Sequence, residues 1–119
     1  MDRLESVFAS FGGNQHRDCY KDLYQAISIE KEHQPRTPNM QELVSEVSTR
    51  TGKRTPQTIW RSLARAVKDL WDYGDKKALI SYYHFWTRYR PKPQEFIEII
   101  AKYLWENERR DEDVGYGQP

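Results

Sequence analysis

The stretch NMQELVSEVSTRTGKRTPQTIWRSLARAVKDLW, residues 39–71, decides the fold. It reads as two short helices joined by a tight, basic turn. Asn39 suits the cap of the first helix, Met40 to Thr51, and Glu42 three residues on completes a capping box. Gly52 then tolerates the positive φ at a helix end. Thr55 can cap the next helix, and Pro56 suits its first position, where a missing N–H leaves no bond unmade. The second helix, Pro56 to Trp71, carries Ile59, Leu63, Ala66 and Leu70 at helical spacing. Gln57, Thr58, Arg61, Arg65 and Lys68 fall on the opposite side. This is the outline of a helix-turn-helix, a motif whose second helix enters a DNA major groove.

On either side of this stretch the apolar positions keep a helical period. Met1 to Phe11 forms a short amphipathic helix through Leu4, Val7, Phe8 and Phe11, broken by Gly12-Gly13-Asn14. It is either a mobile arm or a segment docked on the core or on a partner. Arg17 to Glu30 places Tyr20, Leu23, Tyr24 and Ile27 on one helical face, and Glu32 to Pro38 is a polar connection. After a turn at Asp72-Tyr73-Gly74-Asp75, Lys76 to Trp86 is an aromatic-rich helix holding Leu79, Tyr82, Tyr83, Phe85 and Trp86. Arg90-Pro91-Lys92-Pro93 stops it. Pro93 opens a last helix with Phe96, Ile97, Ile100, Tyr103 and Leu104 inward. No repeats and no alternating strand pattern occur. The expected fold is all-α, a compact domain of five to six helices. It divides into an N-terminal arm (1–15), a helix-turn-helix domain (16–106) and a flexible, charged, Gly-containing tail (107–119).

A chain of 119 residues suits one domain with a modest core. Asp2, Arg3 and Glu5 stand where a secretory signal needs an apolar run. No stretch approaches the roughly 20 apolar residues needed to span a membrane. The single cysteine, Cys19, excludes an intrachain disulfide, and its apolar helix position predicts a buried structural thiol. These features together predict a cytoplasmic protein. The net charge of +1 hides a division. Residues 50–92 hold eleven basic residues against three acidic ones, a net +8, whereas the remainder holds eight against fifteen, a net −7. Such segregation predicts a basic surface turned toward a polyanion.

Little else in the sequence carries chemistry. His16, His33 and His84 lack the spacing of a metal site. There is no phosphate-cradling glycine loop and no nucleophile elbow. Asp69, Asp72 and Asp75 lack the oxygen pattern and closing glutamate of a calcium loop. No catalytic residue, metal, cofactor or small-molecule substrate is expected, and the chain is not read as an enzyme. The aromatic rings fall mostly on apolar helix faces, which favours core packing over base stacking.

The second helix nominates the binding residues. Arg61, one turn in and opposite Ile59 and Leu63, suits a bidentate pair with guanine O6 and N7. Gln57 and Thr58, at the helix start, suit base edges or a phosphate. Arg65 completes the base-contact candidates, although a phosphate suits it as well. Lys53, Arg54, Thr55 and Lys68 are the phosphate candidates, which add affinity and register without reading sequence. Trp60 is read as extending the apolar stripe, in preference to touching a thymine methyl.

From Tyr20 to Leu104, about seven-tenths of the chain, the sequence resembles the DNA-binding effector domain of the master sporulation response regulator of endospore-forming bacteria, stage zero sporulation protein A. The carrying residues are Leu23 and Ala26-Ile27, then Leu43-Val44-Ser45-Glu46-Val47, then Ile59 and Arg61. Ala66-Val67-Lys68-Asp69-Leu70-Trp71 with Gly74, and Lys92-Pro93-Gln94-Glu95-Phe96-Ile97, complete the set in order. The resemblance implies an all-helical domain of the winged-helix-like superfamily that binds double-stranded DNA. It also implies head-to-tail pairs on tandem sites. Arg61 matches a base-reading arginine of the family, and Arg65 stands where the family has a histidine. Thr58 and Trp60 replace a family arginine and glutamate, and the turn is one residue longer. The family's preceding receiver domain has no room here, so control by aspartyl phosphate is not expected. Two readings follow. One is a nucleoid-associated, sequence-specific transcriptional regulator, favoured by the +8 segment. The other is a protein-interaction module of the same fold that binds or antagonises another regulator, favoured by the two replaced side chains.

Overall fold

A computed structural model describes residues 3–52, 54–82 and 88–117, with side chains up to residue 108. Among the described residues six helices follow in chain order. They are α1 (Arg3–Ser10), α2 (Asp18–His33), α3 (Met40–Thr51), α4 (Pro56–Tyr73), α5 (Lys76–Tyr82) and α6 (Pro93–Gly117). The fold is all-α. The only β-type contact among the described residues is an isolated bridge between Gly12 and Gly74.

The central pair has the ends that its sequence predicts. Asn39 Oδ1 accepts from the Glu42 N–H at 2.8 Å while Asn39 Nδ2 donates to Glu42 Oε1 at 3.1 Å. Gly52 adopts φ 84°, a left-handed conformation that a β-carbon would strain, and its N–H donates to the Ser48 carbonyl at 2.9 Å. The Ser48 hydroxyl donates to the Arg54 carbonyl, which ties the turn back onto α3. Thr55 Oγ1 accepts from the Thr58 N–H at 3.2 Å, and Pro56 opens α4. Ile59, Leu63, Ala66 and Leu70 are all buried.

Around this pair α2 is the organising element. It packs against α3, α4 and α6, so Leu23, Ala26, Ile27 and Ile29 are fully buried. Of the two placements open to the N-terminal segment, the structure takes docking. Leu4, Val7, Phe8 and Phe11 are buried. Phe8 meets Tyr20 and Tyr24 edge-on, and Phe11 meets Phe96 and Tyr82, with centroids 5.5–6.1 Å apart. These edge-to-face rings stitch α1 to α2, α5 and α6. The Phe11 carbonyl accepts from the Asp75 N–H at 2.7 Å, which fixes the chain between α4 and α5.

Three boundaries differ from the sequence reading. α2 continues to His33 and α4 to Tyr73, since nothing at Glu30 or Trp71 breaks a helix. α6 runs to Gly117, so residues 107–117 of the expected tail (107–119) are helical. Residues 105–113 contain no proline or glycine, and Lys31 on α2 pairs with Glu108 at 2.8 Å, which carries the helix beyond the apolar core. The expected helical residues Tyr83, Phe85 and Trp86 lie outside the described residues. No helix among the described residues is long and apolar enough to cross a membrane.

Candidate nucleic-acid interface

Turning α4 by about 100° per residue separates two faces. The buried one is Ile59, Ser62, Leu63, Ala66, Val67, Asp69 and Leu70. The exposed one holds Gln57, Thr58, Arg61, Ala64, Arg65 and Lys68. All four base-contact candidates, Gln57, Thr58, Arg61 and Arg65, therefore share one solvent-facing surface. Trp60 corrects an expectation. It remains 42% exposed instead of extending the apolar stripe, because one residue beyond Ile59 it falls outside the buried arc.

The phosphate candidates divide. Thr55 is exposed, but its hydroxyl already caps α4 and also lies 3.0 Å from the Thr58 hydroxyl. Lys68 is exposed and pairs with Asp72 at 2.8 Å. Arg54 is half-buried, with one guanidinium nitrogen on the buried carboxylate of Asp22. Lys53 lies outside the described residues. Arg50, counted in the basic segment, is engaged by Glu32 at 2.7 Å and Glu46 at 3.3 Å, so it adds little free charge. Arg61 and Arg65 form no ion pair among the described residues.

Both edges of the exposed α4 face open into basic clefts. On one edge a cavity of about 360 Å³ is lined by Arg17 at the start of α2, Arg54 in the turn, and Thr58, Arg61 and Arg65 of α4. On the other, a cavity of about 400 Å³ lies between Ala64, Arg65 and Lys68 of α4 and Arg90 and Lys92 of the loop before α6. Arg65 lines both. Four separate parts of the chain thus bring cations to a single surface.

Two buried carboxylates underlie the first cleft. Asp69, with a side chain 2% exposed, accepts from Arg17 Nη1, Asn14 Nδ2 and the Asn14 N–H, each at 3.0 Å, and from the Tyr20 hydroxyl. Burial alone would raise the Asp69 pKa, but donors from Tyr20, Asn14 and Arg17 outweigh it and hold the group down at about 2. The Tyr20 phenol is pushed up by burial and then by its bond to Asp69. Asp22, fully buried, accepts from Arg54 and from the Ser62 hydroxyl at 2.5 Å. Cys19 is buried as expected, and burial raises its pKa against the opposing pull of Arg17. Among the described residues no cluster of three or more His, Cys, Asp or Glu side chains is placed to hold a metal ion.

Arg17 was not legible as a site residue, because it lies more than thirty residues outside the basic segment. The available signal was Asp69, an acid inside the apolar arc of α4, which needs a cationic or donor partner from another element. Compared with models of known protein families and with curated proteins, the chain matches none.

Proposed function

We propose that this protein is a sequence-specific DNA-binding regulator that lays α4 in the major groove. The observation that carries the reading is the exposed α4 face bordered by basic clefts on both edges. A helix in the major groove has a phosphate backbone on each side, and cations on both edges match that arrangement. In this reading Arg61, at the centre of the face and free of ion pairs among the described residues, contacts a guanine. Gln57 and Thr58 contact neighbouring base edges, and Arg65 and Lys68 contact phosphates. The resemblance of Tyr20 to Leu104 to the sporulation effector domain supports the same docking and suggests head-to-tail pairs on tandem sites. Replacement of the family's arginine and glutamate by Thr58 and Trp60 implies a different target sequence.

One observation favours the alternative, a protein-interaction module that antagonises another regulator. Trp60 is a large apolar ring left in solvent on the edge of α4, and tryptophan is over-represented at the centres of protein interfaces. Selection of bound fragments from a genomic library, followed by anisotropy titration of the enriched duplex, separates the two. The DNA reading expects one enriched sequence, with Arg61→Ala weakening it several-fold and flattening discrimination at one base pair. Saturable binding of a protein partner through Trp60, with no duplex bound at low salt, would establish the alternative instead.

A further inference from the structure

The cleft between α2 and α4 differs from an ordinary basic patch in how its arginines are held. Arg17 places Nη1 3.0 Å from Asp69 Oδ1, and Arg54 places Nη2 on Asp22 Oδ1. Both carboxylates are buried and each is bound by further donors, so they serve as fixed anchors. A guanidinium presents five N–H donors in a rigid plane, and one bond to an anchor leaves the others directed elsewhere. Both side chains remain roughly two-fifths exposed and line the same cavity of about 360 Å³. Arg61 and Arg65 enter that cavity from α4 without any ion pair among the described residues, and Thr58 adds a hydroxyl. Asp18 also lines the cavity, but its side chain is 86% exposed and lies 3.6 Å from Lys21. Four guanidiniums therefore converge on one concave space, two of them oriented before any ligand arrives. Such preorganisation is what makes an oxyanion site selective over a diffuse basic surface.

We propose that this cavity is a seat for one phosphate group, gripped by Arg17 and Arg54 from below and by Arg65 from α4. The inference rests on the DNA reading to the extent that a backbone phosphate is the occupant when duplex lies on α4. A free phosphate offers the same chemistry, so the test has two arms. In the first, anisotropy titrations compare wild type, Arg17→Ala, Arg17→Lys and Arg65→Ala on several unrelated duplexes, with thermal melts confirming folding. Each variant is expected to bind every duplex roughly five- to tenfold more weakly, with the salt slope reduced by about 1. Arg17→Lys belongs with the losses, because an ammonium cannot hold Asp69 and still present a planar fork. Arg17→Lys keeps this arm decisive if Arg17→Ala fails to fold, and Arg65→Ala is read beside it because Arg65 also lines the second cleft. In the second arm, the arginine Nε–H signals of the wild-type protein are followed as inorganic phosphate is added. Saturable shifts at Arg17 and Arg54 support the seat even if no duplex binds, in which case the DNA reading alone fails. Unchanged duplex affinity and slope in folded Arg17 and Arg65 variants overturn the proposal. So does the absence of binding to either duplex or phosphate.

Discussion

Asp69 and Glu30 are both acids in the interior, and they have opposite fates. Asp69 is surrounded by donors, and its pKa lies at about 2 against an ordinary 3.8. The unfolded chain takes up the proton first as pH falls, so this stabilisation, on the order of 2 kcal/mol, is present above about pH 4 and is lost toward pH 2. Asp69→Ala strands the Tyr20 hydroxyl, Asn14 and Arg17, and is expected to cost about 3 kcal/mol in urea unfolding at neutral pH. Glu30 is 1% exposed, and neither carboxylate oxygen has a hydrogen-bond partner among the described residues. Burial, then the neighbouring Glu98, raises its pKa to about 7, with His33 and Arg36 pulling the other way. Here the folded state keeps the proton that the unfolded chain releases near 4.5. Stability therefore declines as pH rises from about 4.5 to 7, by an amount on the order of 3 kcal/mol. Glu30→Met is expected to remove that decline. Urea titrations at about pH 5 and pH 8 check it, and an equal pH dependence in both proteins would refute the assignment. The place of Asp69 in the apolar arc of α4 could be read from the sequence, but its partners could not. Partners for Asp69 come from Asn14, Arg17 and Tyr20, distant in sequence, and Glu30 carries no local mark at all.

At the scale of elements, the α3–turn–α4 unit was legible because its determinants are local. The Asn39 cap, Gly52 at positive φ, the Thr55 cap and Pro56 each act within a few residues of themselves. Thr55→Ala removes the acceptor for the Thr58 N–H and is expected to lower stability by about 1 kcal/mol, read as a lower melting temperature. Docking of α1 was not decided by sequence, because an amphipathic face does not name its partner. The structure supplies it through Gly13, at φ 73°, where an added β-carbon would lie 2.2 Å from the Tyr20 hydroxyl and 3.1 Å from Leu70. Gly13→Ala should therefore destabilise by about 2 kcal/mol or more, displacing Tyr20 from Asp69. A variant that melts within a degree of wild type would show that the approach of this loop to α2 is looser than described. Trp60 marks the opposite limit. Sequence spacing gave it an apolar neighbourhood, but the true width of the buried arc depends on which helices lie against α4.

Across the whole molecule, the charge division in the sequence pointed toward α4, which borders both basic clefts, but did not name all the side chains that line them. Arg50 and Arg54 are bound by acids from outside the segment, while Arg17 joins the surface from the otherwise acidic remainder. What the folded chain presents is therefore a few oriented cations around α4, rather than a net +8. The most direct measurement of the DNA-binding account is affinity for the selected duplex across a salt series. One phosphate in the seat of Arg17, Arg54 and Arg65, and one each at Lys68, Arg90 and Lys92, make about four, so log K is predicted to fall with log salt at a slope of about −4. Saturable binding at low salt with that dependence is the expected result. No saturable binding at low salt, or an affinity indifferent to salt, would contradict the account.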